Sequence, residues 1–415
     1  MDSPRFRRPQ LFISALFWMI VSALSLFGAV YYRYFAEGDR PGYSLVFVLA
    51  ALIASVIGIL RSSLQTDDSA SEAGETPWLK KIVLVVMAFH LVTAVVVAGR
   101  MPGNVIDVFT MDRAAAQALL HGTNPYTITQ INIYNDHDTK RFYPPGILVN
   151  SRLQVGYPYP PVCLLAVIPG YLLGDVRYSS IAAILLSAYF MVSMRVTRVT
   201  AGVACVLLLN PLTFMIERFS WVDPFVLLPL CATLYAAVKR RWWLPVALGI
   251  FFASKQYAVL GIPFVLLLEP DWKRSLKLLI QALGVSVAVT APFALWNIHH
   301  FIHDTVLFQI SSPFRADSLS FAVLFPVLLK MVGIILAGAT LWALIVAKRH
   351  PALFASCYGF VLLLFVCLNK QAFINYYFLI AQSIWLGVAA WGIPVGSPRR
   401  EMAHAERQAE PVSAG

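Results

Sequence analysis

The sequence predicts an all-α fold, a polytopic bundle of about 12 transmembrane helices with a large extracytoplasmic loop early in the chain. Three observations predict it. Of the 415 residues, 59% are hydrophobic and only 13% are charged, whereas soluble domains carry about 25% charged residues. Apolar runs over 11–31, 82–98, 276–295 and 331–347 each approach the roughly 20 residues that cross a bilayer as a helix. None of them alternates as a strand does, and unpaired backbone groups are too costly in hydrocarbon, so helices are the only spanning form.

The first run is expected to be a span and not a cleaved signal, because it is too long for an h-region and no small-x-small site follows it. Basic residues in short loops then set the orientation. Arg5, Arg7 and Arg8 precede the first run, and Arg61, Lys80 and Lys81 bracket an acidic, Ser-rich loop after the second. Further cytoplasmic points are Lys239–Arg241, Lys273–Arg274, Lys348–Arg349 and Arg399–Arg400. This places the segments 100–160, 297–320 and 368–376 outside and both termini inside. One transmembrane domain covers 1–395, and the polar residues 396–415 are expected to form a disordered cytoplasmic tail. The net charge of +11 belongs to these loops, which excludes a nucleic-acid partner. Cys163, Cys205, Cys231, Cys357 and Cys367 lie in apolar runs without CxxC spacing and read as small buried hydrophobes.

Two stretches depart from simple spans. The run between Lys239–Arg241 and Lys273–Arg274 is interrupted by Ser254-Lys255-Gln256, and both flanks are basic. It is expected to be two short helices meeting at Lys255. The second stretch, 161–195, is broken at Gly174-Asp175 and is expected to make one net crossing.

Polar residues gather on the outer side of this map. Asp107 and Asp112 open the first loop; Glu217 and Asp223 follow, then Lys255, Gln256, Arg315, Lys370, Gln371 and Asn375. Charges near membrane depth are expensive and generally line a site or a water-filled cavity. Lys255, Arg315 and Lys370 are cations held against the orientation bias, as suits receipt of an anion such as a lipid-linked phosphate. Asp107, Asp112, Glu217 and Asp223 are candidate bases for activating a hydroxyl.

The run from Asp107 through His121-Gly122-Thr123-Asn124-Pro125-Tyr126, with Tyr159-Pro160-Pro161 opening a later span, resembles integral-membrane glycosyltransferases of the GT-C superfamily. The likeness is nearest to the polyprenol-phosphate-mannose-dependent branch and is good over 104–172. It implies a general base in the first large loop shortly before a Gly-x-x-Pro-Tyr element, and Asp107 matches that position. It also implies an inverting hexosyl transfer, mannose first, from a polyprenyl-phosphate sugar at the outer face of the plasma membrane. The acceptor is expected to be a glycan, glycolipid or protein. Asp107, Glu217 and Asp223 are then the catalytic candidates. Lys255, Gln256, Arg315, Lys370, Gln371, Asn375, Tyr126 and Tyr159 are the substrate-binding candidates. The tandem acidic pair of metal-using members is absent, so no cofactor is expected, with a divalent metal left open. Two spans more than the family pattern precede the loop.

Plainer readings stand beside these. Asp107 caps a helix starting near Val108; Asp112 forms a solvated pair with Arg113; Asp136 and Asp138 face solvent. Glu217 pairs with Arg218 at a span end. Tyr376, Tyr377 and Trp221 anchor at the interface, and His299, His300 and His303 are solvated there. The alternative function is a transporter or flippase of a lipid-linked or anionic solute, against which stand the long first loop and the lack of an internal repeat.

Overall fold

The computed structural model describes residues 15–34, 41–64, 76–100, 106–391 and 393. The basic residues expected before the first span, the acidic loop after the second, Arg399–Arg400 and the tail lie outside the described residues.

Three long helices come first: α1 (Ala15–Tyr34), α2 (Pro41–Leu64) and α3 (Trp78–Arg100). The loop that follows has its own structure, with α4 (Asp107–Leu120), β1 (Gln130–Ile131), α5 (Asp136–Phe142), β2 (Leu148–Val149) and β3 (Arg152–Leu153). Its strands pair antiparallel in the order β1-β3-β2. Then come α6 (Pro161–Leu172), α7 (Arg177–Met194), α8 (Arg198–Leu209), α9 (Pro211–Arg218), α10 (Pro224–Val238) and α11 (Leu244–Phe252). A 3₁₀ segment over Gln256–Leu267 leads to α12 (Trp272–Trp296), α13 (Ile298–Ile302), a π-helical turn over His303–Leu307 and α14 (Phe308–Ser311). The chain closes with α15 (Leu328–Val346), α16 (Pro351–Cys367) and α17 (Ile374–Trp391).

The protein is an all-α polytopic membrane bundle. Among the described residues six helices (α1, α2, α3, α7, α12 and α15) are long and apolar enough to cross a bilayer singly, and the bent pair α8–α9 makes a seventh. The sequence reading counted apolar runs; several of those runs fold as shorter helices, such as α6, α10 and α16. Prolines begin α6, α10 and α16, where a missing backbone N–H costs nothing, and so mark where these helices start.

Two of the expected basic points, Arg240 and Arg349, share one end. Arg240 pairs with Glu269 at 3.5 Å, and Arg349 Nη1 donates to the Glu269 carbonyl at 3.3 Å. At this end Phe190 of α7, Tyr235 of α10 and Trp243 pack ring on ring, and the Thr76 N–H donates to Val196 O at 2.8 Å. The opposite end collects the ends of α3, α12 and α16 and the starts of α7, α10 and α17. There Arg177 Nη2 donates to Ala98 O at 2.7 Å, and Ser320 Oγ donates to Cys367 O at 2.9 Å.

The stretch 161–195 resolves into a hairpin. The Gly170 N–H donates to Ser179 Oγ at 2.7 Å, and a Cβ at Gly170 would stand 2.7 Å from the Ser179 nitrogen, so the close turn requires glycine. Cys163, in the first turn of α6, donates to the Ser254 carbonyl at 2.9 Å. Helix α6 therefore begins beside Lys255 and ends beside the start of α7. The single crossing is α7.

Buried apolar side chains form a large core between the spanning helices. A second cluster under the loop joins Tyr126 and Tyr157 to α6 and α10, and a third joins Met111, Tyr143 and Leu153 to Phe308. These satellite cores pack the loop against the bundle.

Candidate active site

Lys255 is extended, at φ −154° and ψ 153°, between α11 and the 3₁₀ segment. The break expected there is present, at the end of the bundle opposite Arg240 and Glu269. With 4% of its surface exposed, Lys255 needs a counter-charge. Its Nζ donates to Asp223 Oδ1 at 3.0 Å. Tyr257 donates to the same oxygen at 2.5 Å, and Asn375 Nδ2 donates to Asp223 Oδ2 at 2.9 Å. The rings of Tyr257, Tyr376 and Tyr159 surround the ammonium at 4.9, 5.2 and 5.6 Å from their centroids, a cation–π cage. Tyr376, expected as an interface anchor, is thus part of the cage, while Tyr377 is buried and donates to Leu319 O. Gln256 turns to the loop and donates to Pro158 O at 3.0 Å and Thr305 O at 2.8 Å.

Asp107 is the first residue of α4, after Ile106 in the capping position. Oδ1 accepts from the Val108 N–H at 2.9 Å and Oδ2 accepts from the Tyr143 hydroxyl at 2.7 Å. Asp107 is therefore not the cap expected there; its Oδ1 meets the next N–H of the helix and its Oδ2 faces the loop. Burial pushes the Asp107 carboxyl above its usual range, and the Tyr143 hydrogen bond only partly offsets it.

Asp112 corrects the sequence reading. It is 0% exposed and accepts from the Tyr157 hydroxyl at 3.0 Å and the Ser220 hydroxyl at 3.1 Å. The expected pairing with Arg113 overlooked that adjacent helical residues point about 100° apart. Asp112 shares the face of Val108, Met111, Ala115 and Ala116, all buried, and Arg113 is exposed. That face was the available signal. Burial raises the Asp112 pKa from 3.8 to about 8, so at neutral pH it is a carboxylic acid. The folded protein holds this proton up to about pH 8 and the unfolded chain only to about 4, so the contribution to stability is full below 4 and lost as pH rises through 8. Melting temperatures of the wild type are expected to fall between roughly pH 4 and 8, and Asp112→Asn is expected to flatten that fall.

Tyr159 stands where these groups meet. Burial, followed by Asp107, Tyr376, Asp112 and Asp223, holds its phenol well above the ordinary range. Its ring also meets that of Tyr157 edge-on at 5.5 Å. Tyr126 is fully buried, and its hydroxyl donates to the Tyr159 carbonyl at 2.9 Å, so it supports the backbone and does not line the centre.

Arg315 and Lys370 lie in a neighbouring group. The Arg315 guanidinium is bidentate to Asp317, at 2.8 and 2.7 Å, and is sandwiched by Phe142 at 4.1 Å and Phe373 at 4.6 Å. Arg141 shares Asp317 at 3.0 Å. Burial lowers the pKa of Lys370, and its Nζ donates to the carbonyls of Ile310 at 2.6 Å and Ser312. Gln371 is partly buried in the same loop. The group adjoins Asp107 through Tyr134: Asp107 raises the Tyr134 pKa and Arg315 opposes it, burial being the largest cause. Both cations already have partners within the chain, which sequence reading does not reveal.

Glu217 turns away from this constellation. Its Oε1 meets His90 Nε2 of α3 at 2.8 Å, not Arg218.

The chain shares its fold with ArnT. The crystal structure of ArnT from Cupriavidus metallidurans bound to undecaprenyl phosphate aligns with 79% of this chain and 63% of that chain, at a TM-score of 0.52 and 19% sequence identity. The apo state of ArnT aligns with 79% of this chain and 62% of that chain, at a TM-score of 0.46 and 17% identity. The match spans less than two thirds of ArnT. No family model and no curated protein sequence matches the chain.

One further carboxylate lies where the loop meets the segment after α13. Asp304, unnoticed in the sequence, accepts from the Gly156 N–H and from His303 Nδ1, both at 2.8 Å. Burial raises its pKa to about 6, against those two hydrogen bonds. A Cβ at Gly156 would stand 2.6 Å from Asp304 Oδ2 and Pro125 O, so only glycine lets the loop close on the π-helical turn.

Proposed function

We propose that the protein is a glycosyltransferase that moves a hexose, mannose in the first place, from a polyprenyl-phosphate sugar to a hydroxyl acceptor on the extracytoplasmic face. The acceptor is a glycan, glycolipid or protein. The observation that carries the reading is the meeting of Asp107, Asp223 and the caged Lys255 around Tyr159. The fold shared with ArnT, whose crystal structure holds undecaprenyl phosphate, supports it. So does the placement of the basic points at the other end of the bundle, which by the positive-inside rule is the cytoplasmic one.

The carboxylates differ in their fitness as a base. Asp223 is engaged by three donors, and Asp112 keeps its own proton at neutral pH. Glu217 faces His90. Asp107 accepts two hydrogen bonds, is half-buried and has a raised pKa, which suits proton abstraction. The acceptor oxygen attacks the anomeric carbon from the face opposite the phosphate, and its proton passes to Asp107. The bond from the anomeric carbon to the phosphate oxygen breaks, and configuration inverts. Polyprenyl phosphate leaves with the bonding electrons, and Lys255 stabilises the negative charge that grows on it. Tyr159, between base and ammonium, forms the floor under the transferred sugar. Arg315 and Lys370 shape the rim through their internal partners.

The test is incubation of purified protein with labelled polyprenyl-phosphate mannose and glucose and a mixture of membrane acceptors. Transfer of label with release of polyprenyl phosphate is expected, at a rate unchanged by EDTA. Movement of intact donor across vesicle bilayers without transfer would replace this reading with a flippase.

A further inference from the structure

The bend between α8 and α9 measures 49°, and three of the backbone groups it frees have side-chain partners. Pro211 has no N–H for the Leu207 carbonyl, which accepts instead from Thr213 Oγ1 at 2.6 Å. The Leu212 N–H goes to Asn210 Oδ1 at 3.0 Å. This leaves the Leu208 carbonyl open, and His90 Nδ1 of α3 meets it at 2.6 Å. The same imidazole stacks on Phe214, with centroids 4.6 Å apart, and its Nε2 meets Glu217 Oε1 at 2.8 Å. His90 is 0% exposed and Glu217 3%.

A carbonyl only accepts, so Nδ1 carries a proton. One further proton lies along the bond from Nε2 to Glu217, and the pair is neutral as a unit wherever that proton rests. This explains how both groups persist inside apolar helices. Ser220, three residues beyond Glu217, adopts a positive φ of 54° and donates to Asp112. Asp223, six beyond, holds Lys255. The end of α3 is tied to α4, the helix that begins at Asp107, through Arg177, which donates to Ala98 O and lies over the Phe109 ring.

We infer that His90 and Glu217 are a positioning pair, which locks the α8–α9 elbow against α3 so that Ser220 and Asp223 meet Asp112 and Lys255. The pair touches no reacting atom. It sets the distance between the span that leads to the base and the segment that orients the phosphate-binding ammonium. The inference deepens the proposed function and rests on it for its kinetic readout alone.

The experiment combines transfer kinetics with ¹⁵N NMR of histidine-labelled protein in nanodiscs, for the wild type, Glu217→Gln, Glu217→Leu, His90→Leu and the double variant His90→Leu/Glu217→Leu. In Glu217→Gln the side-chain amide still donates to Nε2, so donor KM stays within about threefold of the wild type. In Glu217→Leu the elbow loosens, and donor KM rises by roughly tenfold or more while kcat changes less. The double variant is no worse than either single one, because the two residues act as one unit. A His90 signal with Nδ1 protonated and Nε2 hydrogen-bonded is expected in the wild type and in Glu217→Gln. Equal loss in folded Glu217→Gln and Glu217→Leu overturns the inference, since Glu217 then acts by its charge. A wild-type KM in Glu217→Leu overturns it too. Should Glu217→Leu not fold, Glu217→Gln and the NMR signal decide, and an unprotonated Nδ1 in the wild type defeats the assignment. A wild type that transfers no sugar refutes the proposed function, and leaves the NMR comparison to judge the pair.

Discussion

Asp107→Asn is expected to lower sugar transfer by roughly 10²–10⁴-fold, the range for loss of a general base. Asparagine keeps an oxygen for the Val108 N–H, so the helix start loses little. Its amide also keeps contact with Tyr143 but accepts no proton from the acceptor hydroxyl. Stability therefore separates from activity: the melting temperature stays near that of the wild type. Donor affinity also stays, because Lys255 is untouched. Burial holds the Asp107 carboxyl above 3.8, and the base works only when deprotonated. The rate accordingly rises with pH through this raised pKa, and that acid limb disappears in Asp107→Asn. Near-normal transfer by a stable Asp107→Asn protein would reassign the base to Asp223.

Asp223→Ala is expected to have the largest effect on folding. Its removal strands the Lys255 ammonium and leaves Tyr257 and Asn375 without an acceptor. Breaking one side of a buried ion pair costs about 3–5 kcal/mol. The opposite truncation, Lys255→Met, is milder for stability, since Asp223 retains two donors. Its cost falls on donor binding, which is expected to be lost. The double variant Asp223→Asn/Lys255→Met removes both charges and is expected to melt closer to the wild type than Asp223→Ala does. Thermal unfolding in nanodiscs beside donor titration checks all three. A fully stable Asp223→Ala protein would mean that the pair is not the structural hub of the site.

The polytopic fold was legible because composition and apolar run length report directly on solvent. Lys255 was legible for a related reason: an ammonium inside an apolar stretch demands a partner and a helix break. What escaped was geometry across the chain. Asp112 and Arg113 are neighbours in sequence but face opposite environments, and only the buried face of α4 tells them apart. Arg315 and Lys370 read as open cations, since nothing in their own segments announces the carbonyls of Ile310 and Ser312 or the fork to Asp317. Glu217 had Arg218 beside it in the chain and His90 beside it in space. His90 sits in an unremarkable apolar span, and its role depends on a carbonyl that only the α8–α9 bend sets free.

The short helix α10 acts as a depth gauge. Its 15 residues reach only about 22 Å at 1.5 Å per residue, against a hydrocarbon layer of roughly 30 Å. A helix running along the bilayer normal from Lys239 would leave Asp223 roughly 8 Å short of a full crossing. Helix α12, with 25 residues, is long enough to cross the layer in full. A water-soluble sugar nucleotide would have to leave its solvent to reach Lys255. A phosphate carried on a membrane-embedded chain could sink to that depth, and under the proposed function the acceptor hydroxyl would come from the opposite side, beside Asp107. Under the proposed function, the shortness of α10 would sort donor from acceptor by the direction from which each arrives.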